Sequence, residues 1–403
     1  MRLPRLLLLA LLAACKSKAP PPEPPDFDRQ LGAGEHALRK VTDPSRVPIG
    51  PAYEARDERL STALERSERW FLKPSTVQWF PIEGITHEQA EASVREMRRL
   101  LDRGLPPPEF VAEFLRLFDV YESVGYDGKG TVYYTGYHSP VFKGSRTRTD
   151  TYGSPLYARP KDLVTDEKTG EPLGRKGADG SVEGPYPTRE EIESKGMLEG
   201  TELVWLESPL AAFIIHVNGS GKIELDDGSV MYVGYHGKNG REYKSLGQMM
   251  VDAGMMRPEE RGLAAIRRVY AQQPAAVEAL MRRNDSFVFF REANEAEWPA
   301  GSLGFPVTEM TTLATDKQTF PRGGLVLVET HGLARGGVRG DIVRFMADQD
   351  TGGAIRAPGR ADIFMGIGPD AEALAGEQRS LGHLYYFFLK QEHLPPPAEP
   401  STP

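Results

Sequence analysis

Asp350-Thr-Gly-Gly-Ala-Ile-Arg-Ala-Pro-Gly-Arg-Ala-Asp362-Ile-Phe-Met-Gly-Ile-Gly-Pro-Asp370 is the stretch on which this chain turns. Two carboxylates, Asp350 and Asp362, flank a turn that contains Gly352, Gly353, Pro358 and Gly359. Upstream, Asp341-Ile-Val-Arg-Phe-Met-Ala347 reads as a strand, and the apolar residues after Asp362 read as another. Glycine lets a backbone take positive φ or approach a ligand closely. A Gly-rich turn between two strands can therefore aim carboxylates into a groove. The same chemistry also fits a solvated hairpin whose aspartates are turn formers.

On either side of this stretch, β-type segments dominate. Thr312-Leu-Ala-Thr-Asp316, Leu325-Val-Leu-Val-Glu329 and Leu384-Tyr-Tyr-Phe-Phe-Leu389 all read as strands, and the unbroken apolar run Leu325–Val328 suits one covered on both faces. Helices are expected at Pro258–Gln272 and Pro274–Arg283, each opening on a proline suited to the first helical turn. Between residues 203 and 233, Leu203–Trp205, Ala211–Val217, Lys222–Leu225 and Val230–Val233 read as short strands joined by Gly/Asn/Asp turns, a small barrel-like β unit. Residues 160–190 are polar and read as a loop-like insertion. His216, His236 and Lys238 have no zinc-ligand spacing, so they read as turn or groove residues and no metal or cofactor is expected. Thr131-Val-Tyr-Tyr-Thr-Gly-Tyr137-His-Ser-Pro140 is a β segment ending in a turn. Tyr137 is either a half-buried strand tyrosine or a wall for a sugar, since a buried Tyr needs a polar partner in both cases.

Before that the chain is helical. Glu54–Lys73 places Leu60, Leu64 and Phe71 near helical spacing. Thr86-His-Glu-Gln89 fits a capping box for a helix that stops at Gly104. After Pro106-Pro-Pro108, Phe110, Phe114, Leu117, Phe118 and Tyr121 form a helical stripe best read as core.

At the start, Arg2 and Arg5 precede an apolar run, Leu6–Leu12, too short to span a bilayer. Leu12-Ala-Ala-Cys15 resembles a bacterial lipobox, which makes Cys15 a lipidation site. It is the chain's one cysteine, so no intrachain disulfide or Cys metal site is possible. Lys16 resembles the pattern for sorting to the outer membrane, giving a lipoprotein that faces the periplasm. Residues 19–26 are Pro-rich and should be an extended tether at about 3.1 Å per residue. The tail, residues 391–403, is expected to be disordered. The 403 residues carry 49 basic and 57 acidic side chains, a net charge of −8 that, with no basic stripe, argues against nucleic acid as partner.

Taken together, the motifs resemble one family. Asp-Thr-Gly-Gly-Ala-Ile, then Arg-x-Asp and Gly-x-Gly, is similar to the signature of the C-terminal 3D domain of the MltA family of lytic murein transglycosylases. The segment ending in Tyr137, the Ser139-Pro140 and Ser154–Pro160 stretch, Val217-Asn-Gly-Ser-Gly221, Tyr235-His-Gly-Lys-Asn-Gly240 and Asn284-Asp-Ser-Phe-Val-Phe-Phe290 follow in the family's order, over roughly residues 120–390. The resemblance implies a mainly β, α+β chain: a double-psi β-barrel with a second, smaller β-barrel inserted. Residues 1–14 would be the signal peptide and 15–45 the lipidated cysteine and tether. The main barrel would take 46–138 and 296–390, and the insert 139–295. It implies cleavage of the MurNAc-β-1,4-GlcNAc bond of peptidoglycan with formation of a 1,6-anhydro product. Asp362 falls at the position of the single acid, which must be protonated at first and then act as base. Asp350, Gly352, Gly353, Tyr137, Ser139, Ser220 and Lys238 fall at positions that shape the groove or contact the glycan, while Arg360, with Arg356, either contacts the acetyl or lactyl groups of muramic acid or is surface charge. Asp370 would be peripheral, and the role of Asp316 stays open. Arg356-Ala357 stands where the family has Lys-Gly. Two other readings survive: a non-catalytic peptidoglycan-binding lipoprotein, and a hydrolase that needs a second carboxylate and water. Glycan strands are the expected partner, with other cell-wall enzymes open.

Overall fold

The computed structural model describes residues 25–395 except 168, 334–338 and 354. Cys15, the rest of the lipobox and residues 396–403 lie outside them.

The N-terminal part runs β1 (Leu38–Lys40), α1 (Ile49–Glu54), α2 (Glu58–Phe71), α3 (His87–Asp102), α4 (Pro107–Leu117), β2 (Phe118–Ser123) and β3 (Val132–Ser139). The C-terminal part supplies β13 (Thr312–Ala314), β14 (Leu325–Leu333), β15 (Arg339–Asp350), β16 (Arg360–Ile367), α10 (Gly368–Glu377) and β17 (Arg379–Leu389). These strands form one sheet in the order β1-β2-β17-β14-β15-β13-β16-β3, and β3 returns to β17. The last pairing closes six strands into a barrel, with β2 paired along the far half of β17 and β1 on the outer side of β2. Two pairings are parallel, β13 with β15 and β16 with β3. Closure leaves no free edge among those six strands. Both faces of β14 are covered: Leu325, Val326, Leu327 and Val328 are all fully buried, as their unbroken apolar run requires.

The helices cover the barrel because their apolar stripes need a partner. Phe114 of α4 stacks on Phe118 and meets Phe387 edge-on, while Phe110 stacks on Tyr53. Thr86 caps α3 through the Gln89 N–H. The Gln89 side chain does not complete the capping box; its amide donates to the Leu389 carbonyl at 2.9 Å and pins α3 to β17.

The inserted part runs β4 (Val141–Ser145), β5 (Ser154–Tyr157), β6 (Leu163–Thr165), β7 (Pro172–Lys176), β8 (Val182–Glu183), α5 (Arg189–Ser194), β9 (Glu202–Leu206), α6 (Pro209–Asn218), β10 (Ser220–Leu225), β11 (Val230–Lys238), α7 (Leu246–Asp252), α8 (Leu263–Gln272), α9 (Pro274–Arg282) and β12 (Val288–Ala293). Six of its strands pair in the order β12-β11-β10-β4-β9-β5, and a bridge from Ala158 to Phe290 closes them into the second barrel. The two barrels meet where Arg267 of α8 makes a two-pronged ion pair with Glu372 of α10, at 2.9 and 3.0 Å. The buried His138 of β3 faces the same carboxylate at 3.4 Å.

Several local expectations are corrected. Ala211–Val217 is not a strand but most of α6, buried nearly all round. An apolar run has no periodicity of its own; Ser208 as cap, Pro209 in the first turn and Gly219 at φ +74° mark a helix. His216 is therefore a core residue, its Nδ1 accepting from the Val288 N–H at 3.1 Å, rather than a turn or groove residue. Residues 160–190 are not a loop but the β6-β7-β8 meander and the start of α5. Phe118 and Tyr121 belong to β2, since α4 ends at Leu117. The single helix read over Glu54–Lys73 breaks at Asp57, which caps α2. Pro258 opens only a short 3-10 turn ahead of α8, and α7 and α10 were not foreseen. The chain already joins the barrel sheet at β1, inside the stretch assigned to the tether.

Candidate active site

Ala314 lies opposite both Asp350 and Asp362, because β13 is the strand between β15 and β16. Asp362 is in turn opposite Thr135 of β3. Asp350, Ala314, Asp362 and Thr135 thus form one row across four strands. The two aspartates sit two strand spacings apart, about 10 Å between Cα atoms. A bulge at Leu313/Ala314 shifts the register so that Ala314 meets Asp350; such bulges re-aim side chains beside active sites.

The aspartates differ in their surroundings. Asp362 accepts from the Thr135 hydroxyl, and the Arg360 guanidinium lies 3.4 Å from the same oxygen. Its side chain keeps 14% exposure. Asp350 is buried and both its oxygens are taken. Tyr137 Oη donates to Oδ2 at 2.7 Å, and the Ser302 and Thr351 N–H groups donate to Oδ1, each at 2.9 Å. Burial pushes the Asp350 carboxyl up, against the pull of these three donors and of Lys317. Burial and the neighbouring Asp350 push the Tyr137 phenol well up, which keeps it a donor. Thr135 and Tyr137 share a face of β3 at period two. One strand therefore holds both carboxylates through side chains that point the same way.

Behind them lies a buried ion pair. Lys317 pairs with Asp348, which also accepts from Thr315 at 2.8 Å and Tyr386 at 2.7 Å. Asp316, whose role the sequence left open, is a brace. Its Oδ2 accepts the Ala357 N–H at 2.8 Å and the Thr319 hydroxyl at 3.1 Å. Ala357 has φ +60°, the left-handed conformation that a glycine would take freely. The departure Arg356-Ala357 thus keeps the turn, at a cost in strain.

The structure brings Asp362, Asp350, Tyr137 and Arg360 together. Gly352 and Gly353 follow β15 at the same end, where a Cβ on Gly353 would meet nothing within 4 Å. Ser139 is buried at the end of β3, its backbone paired with Ile367. Ser220 and Lys238 belong to the inserted barrel; Ser220 opens β10 opposite Gly234, and Lys238 pairs with Glu171 at 3.2 Å. Asp370 lies in the first turn of α10. Thr135 and Ser302 were missed. Thr135 is readable once Tyr137 is singled out, because strand alternation puts it on the same face. Ser302 acts through its backbone, on which the sequence has no signal. Among the described residues no group of His, Cys, Asp or Glu side chains converges as a metal set.

Comparisons with known proteins show the family and the fold. Residues 133–291 match the family model described as the MltA specific insert domain, and 311–388 match the 3D domain. Membrane-bound lytic murein transglycosylase A of Vibrio cholerae is 32% identical over 66% of this chain and 68% of its own length. The chain belongs to the MltA family. The protein of the same name from Escherichia coli K12 is 29% identical over 94% of this chain and 93% of its own. Among solved structures, E. coli MltA with bound chitohexaose superposes with a TM-score of 0.64 at 24% identity, covering 91% of this chain and 96% of that one. The MltA fold, a double-psi β-barrel carrying a smaller inserted barrel, is the fold of this chain.

Proposed function

We propose that this MltA-family chain is a lytic transglycosylase that cleaves the MurNAc-β-1,4-GlcNAc bond of peptidoglycan strands and leaves a 1,6-anhydro end. The carrying observation is the division of labour between the two aspartates. Both oxygens of Asp350 are engaged by donors, whereas the Thr135 and Arg360 contacts of Asp362 both fall on Oδ1 and its side chain keeps part of its surface open to solvent. A glycosidase that uses water needs two working carboxylates. When the nucleophile is the substrate's own C6 hydroxyl, one acid suffices. Asp362 gives its proton to the glycosidic oxygen as that bond breaks. As carboxylate it then takes the C6 hydroxyl proton while the C6 oxygen closes on C1. Thr135 fixes the acid's orientation, and Arg360 steadies the negative charge it acquires. Asp350 holds Tyr137 in place as a wall for the glycan. Gly352 and Gly353 keep the rim low, and Ser139 ends the strand that leads to the insert. Ser220 and Lys238 act from the inserted barrel's side of the groove.

The division of the chain belongs to the same reading: β3 leaves the main barrel at Ser139, and β12 ends at Ala293 before the chain returns to it. So does the location, an outer-membrane lipoprotein facing the periplasm, with Cys15 lipidated. The relatives' membrane-bound names and the lipobox pattern support it.

Muropeptide mass spectrometry after incubating sacculi with the full-length chain in detergent tests the reaction. Anhydro-muropeptides are expected from the wild type, with a loss of at least about 100-fold in Asp362→Asn. Reducing-end products would mean a hydrolase. Intact sacculi that sediment the protein would mean a binding lipoprotein.

A further inference from the structure

The N-terminal arm that leads from the tether does not end away from the site. Phe27 stacks on Tyr133 with ring centroids 4.2 Å apart and planes at 11°, and Tyr126 meets it edge-on at 5.0 Å. Tyr133 pairs in register with Arg360, one pleat before the Thr135–Asp362 pair. Tyr133, Thr135 and Tyr137 alternate with inward residues on β3, so Phe27 docks on the face that holds both aspartates. The seat is shaped for it. A Cβ on Gly359 would lie 2.6 Å from the Phe27 carbonyl oxygen and 2.5 Å from Tyr126 Cβ, so only glycine admits the two chains there. Four residues further on, Leu31 packs against the barrel core.

We infer that residues 26–31 are a built-in wall of the catalytic groove, with Phe27 as its anchor. The inference rests on the transglycosylase reading above.

The test is kcat and KM on purified glycan strands, for the full-length chain in detergent and for Phe27→Ala, Phe27→Tyr and Gly359→Ala. Phe27→Ala is expected to lower kcat/KM about tenfold by releasing the arm, mostly through KM, and Phe27→Tyr, which keeps the stacked ring, to restore it. Gly359→Ala, whose Cβ would meet the Phe27 carbonyl oxygen, displaces the arm by another route and keeps the test open should Phe27→Ala fail to fold. Anhydro products from the wild type, with Phe27→Ala and Gly359→Ala both within twofold of it in kcat and KM, would overturn the inference and leave the transglycosylase standing. A wild type that yields no anhydro products would remove that reading and this inference with it.

Discussion

Ala357 shows how a single residue is held against its own preference. An L-residue in the left-handed region costs about 1–2 kcal/mol, and the bond from its N–H to the buried Asp316 fixes it there. Replacing it with glycine relieves that strain but removes a buried methyl worth about 0.8 kcal/mol and adds about 0.5–1 kcal/mol of unfolded-state entropy. Ala357→Gly is therefore expected to leave urea-unfolding stability within about 0.5 kcal/mol of wild type. Ala357→Val, β-branched in the same conformation, is expected to lose about 2 kcal/mol or more. The spacing of Asp350, Arg360 and Asp362 was legible because their motif is contiguous. The brace from Asp316 was not, because it joins residues 41 apart in the chain.

Among elements, β1 is too short to hold itself to the sheet by backbone pairing alone, and Glu122 of β2 staples it. This fully buried carboxylate takes Arg39 of β1 at 2.9 Å, Arg46 at 3.0 Å and His383 of β17 at 3.2 Å. Burial would push Glu122 up, but these partners hold it down at about 2, and the Glu122 contact raises His383 above its usual 6.5. The depressed acid stabilises above its unfolded value near 4.5 and loses that contribution as pH falls towards 2. The raised histidine stabilises below about 6.5 and loses its contribution as pH climbs through its folded value. Both act together from about pH 4.5 to 6.5. Glu122→Gln is thus expected to lower the unfolding free energy most at pH 5.5, by about 2 kcal/mol, with a smaller deficit at pH 3 and pH 8.5. A deficit independent of pH would sink this assignment. The same scale shows where local reading fails. Ala211–Val217 carries β-branched and aromatic residues, yet burial of all but Val217 lets a helix accept them.

In the whole molecule, the Arg267–Glu372 pair with His138 is the polar joint between the two barrels. Burial pushes Glu372 up, but His138 and Arg267 hold it near 2, so the joint's contribution is complete above pH 4.5 and lost from there down towards 2. Arg267→Ala is expected to cost about 1 kcal/mol at pH 7, discounted for the partial exposure of both side chains. It is also expected to flatten the loss of stability that the wild type shows between pH 4.5 and 2, measured by thermal unfolding. At the other end of the chain, Cys15→Ala is expected to move the protein from the membrane fraction to the soluble one in a cell fractionation. The sequence by itself determined the apolar periods, the caps and turns, the lipobox pattern and the contiguous carboxylate motif, because each rests on neighbours within a few residues. Only the tertiary structure decided that β17 pairs with β2, β14 and β3 to close the barrel, that β13 slips between the strands of Asp350 and Asp362, and that Phe27 stacks on Tyr133. Those depend on contacts between distant residues, whose free energy comes from burial and pairing that no local stretch of chain contains.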